Sequence, residues 1–113
     1  MRVLITGGSG LLAVNWALCR RNEDEVWLGL HRRIVNISDV NTVLIDMNND
    51  ISIAQSIDKI SPDLIIHTAG MTDVDKCETY KQTAWRVNAD YAGLVAKTAF
   101  EIGRAHVRTP VTA

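Results

Sequence analysis

The chain has 113 residues, of which 47% are apolar and 22% charged, and its formal net charge at pH 7 is -1. This length supports one modest hydrophobic core and excludes two independently folded domains. The near-zero charge excludes a broad electrostatic surface for nucleic acid or for an anionic membrane, so an anion site has to be local. We expect neither nucleic acid nor a membrane as a partner.

Cysteine usage and the amino terminus indicate the compartment. The two cysteines, Cys19 and Cys77, are too few and too far apart for a disulfide framework or a zinc site. We therefore expect small buried thiols, a reducing compartment and no metal. The apolar run near the start, about four residues long, is far shorter than a signal peptide or a membrane span. The sequence thus predicts a cytoplasmic protein.

The first predicted elements are a strand, a glycine turn and a helix. Residues Arg2 to Thr6 form an apolar, β-branched run that ends at glycines, which is typical of a buried parallel strand. From Leu11 to Arg21, apolar residues recur at helical spacing and predict an amphipathic helix. Its apolar stripe comprises Leu12, Trp16 and Cys19, with Ala13, Ala17 and Leu18 beside them.

Strands and helices continue to alternate along the rest of the chain. Further strands are predicted at Glu25 to Leu30, Thr42 to Ile45 and Leu64 to Ile66, with an uncertain polar connection from His31 to Asn41. One helix is predicted from the stripe Ile53, Ala54, Ile57 and Ile60, and a long one from Ala84, Val87, Tyr91, Leu94, Val95, Thr98 and Ala99. Such alternation with short links predicts a parallel α/β sheet.

The glycine turn in "ITGGSGLLA" is the first candidate site. A turn that joins a buried strand to a helix can point backbone N–H groups at a phosphate, provided that Gly7, Gly8 and Gly10 leave room for close approach. The spacing Gly7-x-x-Gly10-x-x-Ala13 differs from the dinucleotide pattern G-x-G-x-x-G/A. We favour a phosphate site, and the alternative is a turn that only packs a helix on a strand.

The end of the second predicted strand indicates which dinucleotide fits. In such sites an acidic residue there binds the ribose 2′-hydroxyl, or an arginine accepts a 2′-phosphate. Here the residues are Leu30, His31, Arg32 and Arg33, with no carboxylate. Because planar guanidinium groups suit phosphate, we predict NADP(H), with NAD(H) as the less favoured cofactor. The alternative is that both arginines are solvated loop residues.

Two later strand ends carry further candidates. Asp46 ends the third strand, where its carboxylate either accepts a hydrogen bond from the adenine amino group or caps the start of a helix, and we weigh the two interpretations equally. His67, Thr68, Ala69 and Gly70 follow the fourth strand, and the small residues among them permit close approach of a cofactor. His67 itself is interpreted as an orienting or packing residue rather than a base.

Four stretches of the chain carry a family resemblance: "LITGGSGLLA", "SPDLIIHTAG", "MTDVDKCE" and "RVNADYAGLVAKTA". The sequence resembles the N-terminal part of an extended short-chain dehydrogenase/reductase. Within that superfamily it is most similar to the dTDP-4-dehydrorhamnose reductase family and to its relative, the regulatory β subunit of methionine adenosyltransferase. The resemblance implies a partial Rossmann-type fold, a doubly wound parallel sheet in three layers, α/β/α, truncated after about four strands.

The resemblance also implies site residues. The family's T-G-x-x-G-x-x-G turn falls on Thr6, Gly7, Gly10 and Ala13, and the alanine is a departure that loosens helix–strand contact slightly. The implied contacts are Gly10, Leu11 and Leu12 with the pyrophosphate, Asp46 and Met47 with the adenine, Ala69, Gly70 and Met71 with the nicotinamide-side ribose, and Thr72 and Asp73 with the substrate. For Val87 and Asn88, in the long helix, we favour a structural role.

The activity that the resemblance implies is hydride transfer from a nicotinamide cofactor to a keto group of a nucleotide-linked sugar. The family's Tyr-x-x-x-Lys pair is not present, since Ala84 stands four places after Tyr80 and Val95 four places after Tyr91. We therefore assign no catalytic residue and expect this chain alone to be inactive, as part of a parent enzyme that forms a homodimer. The alternatives are an epimerase or dehydratase on the same fold, a non-catalytic NADP-binding regulatory subunit, and an α/β domain without a dinucleotide.

The last twelve residues, "IGRAHVRTPVTA", resemble in one reading frame the conceptual translation of a widely used sequencing adapter. This resemblance predicts a natural segment at residues 1–101 and a non-native tail at 102–113. The alternative is that Gly103 caps the long helix and that a fifth strand follows. We disfavour it, because Arg108 and Pro110 in a central strand would bury a charge and lose a ladder hydrogen bond.

Overall fold

The computed structural model describes residues 1–68, 86–103 and 105–108. The strands are β1 (Arg2–Thr6), β2 (Glu25–Leu30), β3 (Asn41–Leu44), β4 (Leu64–His67) and β5 (Ala105–Arg108). The helices are α1 (Leu11–Arg20), α2 (Asp50–Ile60) and α3 (Ala92–Glu101), and a π-helical segment, Arg86–Tyr91, leads directly into α3. No helix in these ranges is long and apolar enough to cross a membrane.

The sheet is parallel throughout and has the order β3-β2-β1-β4-β5. Thr6, the last residue of β1, stands between Gly29 of β2 and His67 of β4. The chain proceeds outward from β1 to β2 and β3 on one side, and returns to β4 on the other. The carboxyl end of β1 therefore lies at a topological switch point, where ligands bind in open parallel sheets.

Alternate residues of β1, β2 and β4 enter two separate hydrophobic clusters, one on each face of the sheet. Val3 and Ile5 pack with α1, whereas Leu4 packs with α2 and α3. The parallel α/β sheet predicted from the alternation of elements is thereby confirmed, and so are the three layers, α/β/α, that the family resemblance implies. Both faces are apolar because a parallel sheet is covered by helices on both sides.

The packing face of α1 differs from the predicted stripe. The residues buried against the sheet are Ala13 and Ala17, whereas Leu12 and Trp16 are 55% and 38% exposed. Small side chains allow the helix axis to approach the strands closely, which places the larger residues at its flank. The prediction that Leu12 and Trp16 form the packing stripe, with the two alanines beside it, was wrong.

Cys19 is an exposed free thiol, so the expectation of a buried cysteine was wrong for this residue. It lies two positions beyond Ala17, and two helical residues span about 200°, which turns its side chain away from the sheet. Cys77 lies outside the described residues.

The long predicted helix is divided in the structure. Its described part begins with the π-helical segment, which contains Val87 and Asn88, and continues as α3. Tyr91, Val95 and Ala99 are buried, as the predicted stripe requires. The apolar pattern thus identified the buried side correctly, although it did not distinguish a π-helical turn from an α-helical one.

The four strands predicted from the sequence are present, and β5 adds a fifth, paired with β4 in the register His67↔Arg108. Gly103, with φ +70°, follows α3 in the left-handed conformation that commonly ends helices. The segment thus takes the conformation of the disfavoured alternative, and β5 is an edge rather than a central strand among the described residues. The non-native origin of residues 102–113 stays a prediction, because backbone pairing is not specific to side chains.

The amino-terminal edge of the sheet is fastened by ion pairs. Arg20 Nε lies 3.0 Å from Asp24 Oδ2, and the terminal amino group lies 3.5 Å from Asp24 Oδ1. Arg2 pairs with Glu25 and also donates to the Ile60 carbonyl oxygen at 2.8 Å. The hydrogen bond from Arg20 holds the pKa of Asp24 below its ordinary value, and that from Arg2 does the same for Glu25.

Asp24→Asn is expected to lower stability at pH 7 and to have a smaller effect at pH 3. Because the folded pKa of Asp24 is depressed, its stabilisation is complete above the unfolded pKa of about 3.9 and disappears as pH falls through the folded value. Urea midpoints of both proteins at pH 7 and pH 3 measure this. Asp58→Asn, at an exposed carboxylate of α2, is the control. An unchanged gap between wild type and Asp24→Asn at the two pH values would contradict the prediction.

Candidate functional site

The glycine turn leaves the carboxyl end of β1 and returns directly into α1. Gly7 has φ +68°, a conformation that glycine adopts without strain. Its carbonyl oxygen accepts the N–H of Gly10 at 2.9 Å, which closes the turn. A Cβ at Gly10 would lie 3.2 Å from that oxygen, so the turn is tight at this position as well. The two glycines of the predicted spacing therefore shape the turn.

The start of α1 offers unsatisfied backbone donors. Gly10 is the N-cap, and no side chain of the described residues caps the helix. The first-turn N–H groups of Leu11, Leu12 and Ala13 have no acceptor within the helix. Gly10, Leu11 and Leu12 are exposed at this end, so an anion can approach them. These donors and the positive end of the helix dipole together make an anion-binding arrangement.

Gly8 has a different role from the predicted one, which was to leave room for a ligand. It is buried, and its N–H donates to the Gly29 carbonyl oxygen of β2 at 2.9 Å. A Cβ at Gly8 would lie 2.8 Å from Leu28 Cβ and 3.0 Å from Leu30 Cδ2. Gly8 therefore permits the turn to lie against β2 instead of providing room for a ligand. The glycine within β2 was the available signal, since glycine inside a strand often marks close backbone approach.

The end of β2 lies beside this turn because of the Gly8–Gly29 hydrogen bond. The following residues Arg32 and Arg33 are exposed, and neither forms an ion pair or hydrogen bond with another described residue. His31 is half-buried, with Nδ1 3.4 Å from the Ile45 carbonyl oxygen. The two guanidinium groups are thus available to an anion at the carboxyl edge of the sheet.

Asp46 shapes the start of α2 without being its N-cap. Its Oδ1 accepts the Asn48 N–H at 3.0 Å, while Asn49 caps α2 by accepting the Ser52 N–H at 3.1 Å. Asp46 is exposed, and Met47 packs partly against the α2–α3 cluster. The turn-forming role and the predicted adenine contact are therefore compatible.

The carboxyl end of β4 is joined to β1 by side chains. His67 is 1% exposed, its Nδ1 lies 2.6 Å from Thr6 Oγ1, and its ring meets that of Tyr91 edge-on with centroids 5.0 Å apart. This environment agrees with the orienting or packing interpretation of His67. Thr68, to which the sequence assigned no contact, donates its hydroxyl to the Thr6 carbonyl oxygen. No pattern in the sequence indicated that bond.

Several predicted residues lie outside the described residues: Ala69, Gly70, Met71, Thr72 and Asp73. Their contacts with the nicotinamide-side ribose and the substrate stay predictions. Within the described part of the chain, no group of three or more His, Cys, Asp or Glu residues is arranged to hold a metal ion. The site that the structure brings together consists of the glycine turn, the start of α1 and the ends of β2 and β3.

Comparison with protein families gives a match over nearly the whole chain. The family described as RmlD substrate binding domain matches residues 1–109. Methionine adenosyltransferase 2 subunit beta of Bos taurus is 35% identical over 104 residues, which are 90% of this chain and 30% of that protein. The matches to the family and to this protein therefore cover most of the chain and not only the glycine turn.

Solved structures agree with this match. A hypothetical dTDP-4-dehydrorhamnose reductase from Sulfolobus tokodaii superposes with a TM-score of 0.84 at 31% identity, covering 96% of this chain and 38% of that one. A dTDP-4-dehydrorhamnose reductase from Bacillus anthracis in complex with NADP superposes with a TM-score of 0.75 at 27% identity, covering 93% of this chain and 34% of that one. The chain thus spans little more than a third of these structures.

Proposed function

Since the chain belongs to the RmlD substrate binding domain family, we propose that it forms the NADP(H)-binding part of a nucleotide-sugar reductase of the dTDP-4-dehydrorhamnose reductase kind. The observation that carries the proposal is the start of α1, which no described side chain caps and which lies beside the glycine turn at the topological switch point. Backbone donors in that position suit the pyrophosphate of a dinucleotide.

The proposed binding mode assigns each part of the cofactor to one strand end. Gly7 shapes the turn, Gly10 faces the pyrophosphate, and Leu11 and Leu12 donate their backbone N–H groups to it. The adenosine ribose and its 2′-phosphate are bound by His31, Arg32 and Arg33, and the adenine by Asp46 and Met47. The nicotinamide-side ribose is bound by Ala69, Gly70 and Met71. The nucleotide-linked sugar lies nearest Thr72 and Asp73. These residues bind and orient, and the bound cofactor supplies the hydride for a keto group.

NADP(H) is proposed in preference to NAD(H) because of charge. Arg32 and Arg33 have no partner among the described residues, and none of the three residues directly after β2 has a carboxylate to bind an unmodified ribose. A 2′-phosphate would gain charge-assisted hydrogen bonds from these guanidinium groups, whereas a 2′-hydroxyl would not. The Bacillus anthracis relative in complex with NADP supports the same choice.

Calorimetric titration of the chain with NADP and with NAD tests the proposed cofactor. We expect NADP to bind at least about tenfold more tightly, which corresponds to about 1.4 kcal/mol. Equal affinity, or tighter binding of NAD, would contradict the preference for NADP. No binding of either dinucleotide would contradict the proposed function and favour an α/β domain without a dinucleotide.

Hydride transfer is not expected from this chain alone, since the Tyr-x-x-x-Lys pair of the resembled family is not present. The tyrosine of that pair acts as general acid, so a bound cofactor without it lacks a proton donor for the forming hydroxyl group. The chain is expected to bind NADPH without oxidising it in the presence of a nucleotide-linked keto sugar. Absorbance at 340 nm measures this.

A non-catalytic regulatory subunit is the second candidate. It is favoured by the identity to the bovine methionine adenosyltransferase subunit over 90% of this chain. The full open reading frame, read past the codon for Glu101 in the source DNA, separates the candidates. A Tyr-x-x-x-Lys pair with reductase activity would favour the enzyme, and NADP binding without the pair would favour the regulator. If the full-length protein epimerises or dehydrates the sugar instead of reducing it, an epimerase or dehydratase on the same fold is favoured.

A further inference from the structure

We propose that Thr68 is a positioning residue that holds the carbonyl groups of the glycine turn away from the bound pyrophosphate. The inference rests on the proposed function, because it concerns how the same turn is made receptive to an anion. Thr68 follows β4 and belongs to neither the turn nor α1. It acts on the cofactor only through the backbone of Thr6 and Gly7.

Thr68 reaches the end of β1 with two donors. Its hydroxyl donates to the Thr6 carbonyl oxygen and lies 3.4 Å from the Gly7 carbonyl oxygen. Its own N–H also donates to the Thr6 carbonyl oxygen, at the longer distance of 3.3 Å. The Thr6 oxygen therefore receives two hydrogen bonds from one residue, and the hydroxyl provides the closer of them.

These bonds determine where the donors of the turn point. In a planar trans peptide the C=O and N–H groups point in opposite directions, so a Thr6 carbonyl held toward β4 directs the Gly7 N–H away from β4. The Gly7 carbonyl is held by Gly10 N–H and faces Thr68, and the Gly8 N–H is bound to Gly29. Both peptides on either side of Gly7 are thereby fixed.

Fixing these peptides matters because Gly7 and Gly8 have the conformational freedom of glycine. If the Thr6–Gly7 peptide rotates, a carbonyl oxygen turns toward the site of the pyrophosphate and repels it. Neither glycine has a side chain that could hold these peptides by a hydrogen bond, and the hydroxyl of Thr68 supplies that bond. Its contribution is therefore expected in the binding of ligands that contain the pyrophosphate.

Thr68→Val removes the hydroxyl and keeps the shape of the side chain and the backbone N–H bond. We expect the Kd for ADP and for NADP to rise about three- to tenfold, as for the loss of one hydrogen bond. Adenosine 2′-monophosphate, which has no pyrophosphate, is expected to bind equally well to wild type and variant. Thr68→Ser is expected to restore the affinity for ADP. Thr42→Val, at an exposed threonine of β3, is the matched control.

Amide NMR titrations of the chain measure these affinities, and urea unfolding of each variant identifies conditions in which all are folded. Weaker ADP binding in Thr68→Val with unchanged binding of adenosine 2′-monophosphate supports the inference. Unchanged ADP binding, equal weakening of both ligands, or failure of Thr68→Ser to restore affinity overturns it. If wild type binds no ADP, the proposed function fails as well, so the two failures are distinguishable.

Discussion

Gly8→Ala is expected to destabilise the protein by about 2–3 kcal/mol, a large share of the stability of a domain of this size. The added methyl group would lie 2.8 Å from Leu28 Cβ, an atom fixed to the backbone of β2 that does not move aside by rotation. The turn would have to separate from the strand, which breaks the Gly8–Gly29 hydrogen bond. Urea unfolding followed by circular dichroism measures the loss.

Gly93→Ala is the matched control for this prediction. Gly93 is exposed near the start of α3, and a Cβ there would meet no atom of the described residues within 4 Å. Alanine is therefore expected to stabilise the protein by about 0.5–1 kcal/mol through its higher helix propensity. If both substitutions changed stability in the same direction and by similar amounts, the close approach of the turn to β2 would not be the determining contact.

Arg32→Ala combined with Arg33→Ala is expected to raise the Kd for NADP by about tenfold to a hundredfold and to leave the Kd for NAD nearly unchanged. Charge-assisted hydrogen bonds contribute about 1.5–3 kcal/mol. Because both side chains are exposed, the expected loss of binding free energy lies toward the lower end of this range. Calorimetric titration of the double variant with both dinucleotides gives the two ratios. Single substitutions then show which guanidinium group contacts the phosphate.

Lys59→Ala combined with Lys97→Ala is the control for net charge, since it removes two positive charges from exposed positions on α2 and α3. Because screened charges act weakly beyond about 10 Å at moderate salt, this variant is expected to bind NADP nearly as wild type does. An equal loss in the two double variants would indicate a general electrostatic effect. Loss of NAD affinity in the arginine variant would place these residues elsewhere on the cofactor.

The elements with strong sequence patterns were predicted closely. The bounds of β1 and β2 agree with the expectation, because continuous apolar runs ending at glycine or at charged residues leave little ambiguity. The glycine turn was predicted from its place between a strand and a helix. In α2 the buried residues Ile53, Ile57 and Ile60 all belong to the predicted stripe, and its fourth residue, Ala54, is half-buried.

The features that the sequence did not predict depend on tertiary contacts. The packing of Ala13 and Ala17 follows from how closely α1 approaches the sheet, a distance that hydrophobic periodicity does not contain. The bonds of Thr68 join residues 62 positions apart in the chain. For Gly8, the spacing of the glycines is the same whether a residue faces a ligand or a strand, so the neighbouring atoms of β2 decide its role.

The single direction of the strands has a practical consequence for immobilising the protein. Met1 precedes β1 at the amino edge of the sheet, whereas the glycine turn leaves its opposite edge. A tether attached at Met1 would therefore hold the protein on a sensor surface with the cofactor side facing the solution. Such an attachment removes the charge that the terminal amino group presents to Asp24. Affinities measured in this geometry and in free solution are expected to agree, even where thermal stabilities differ.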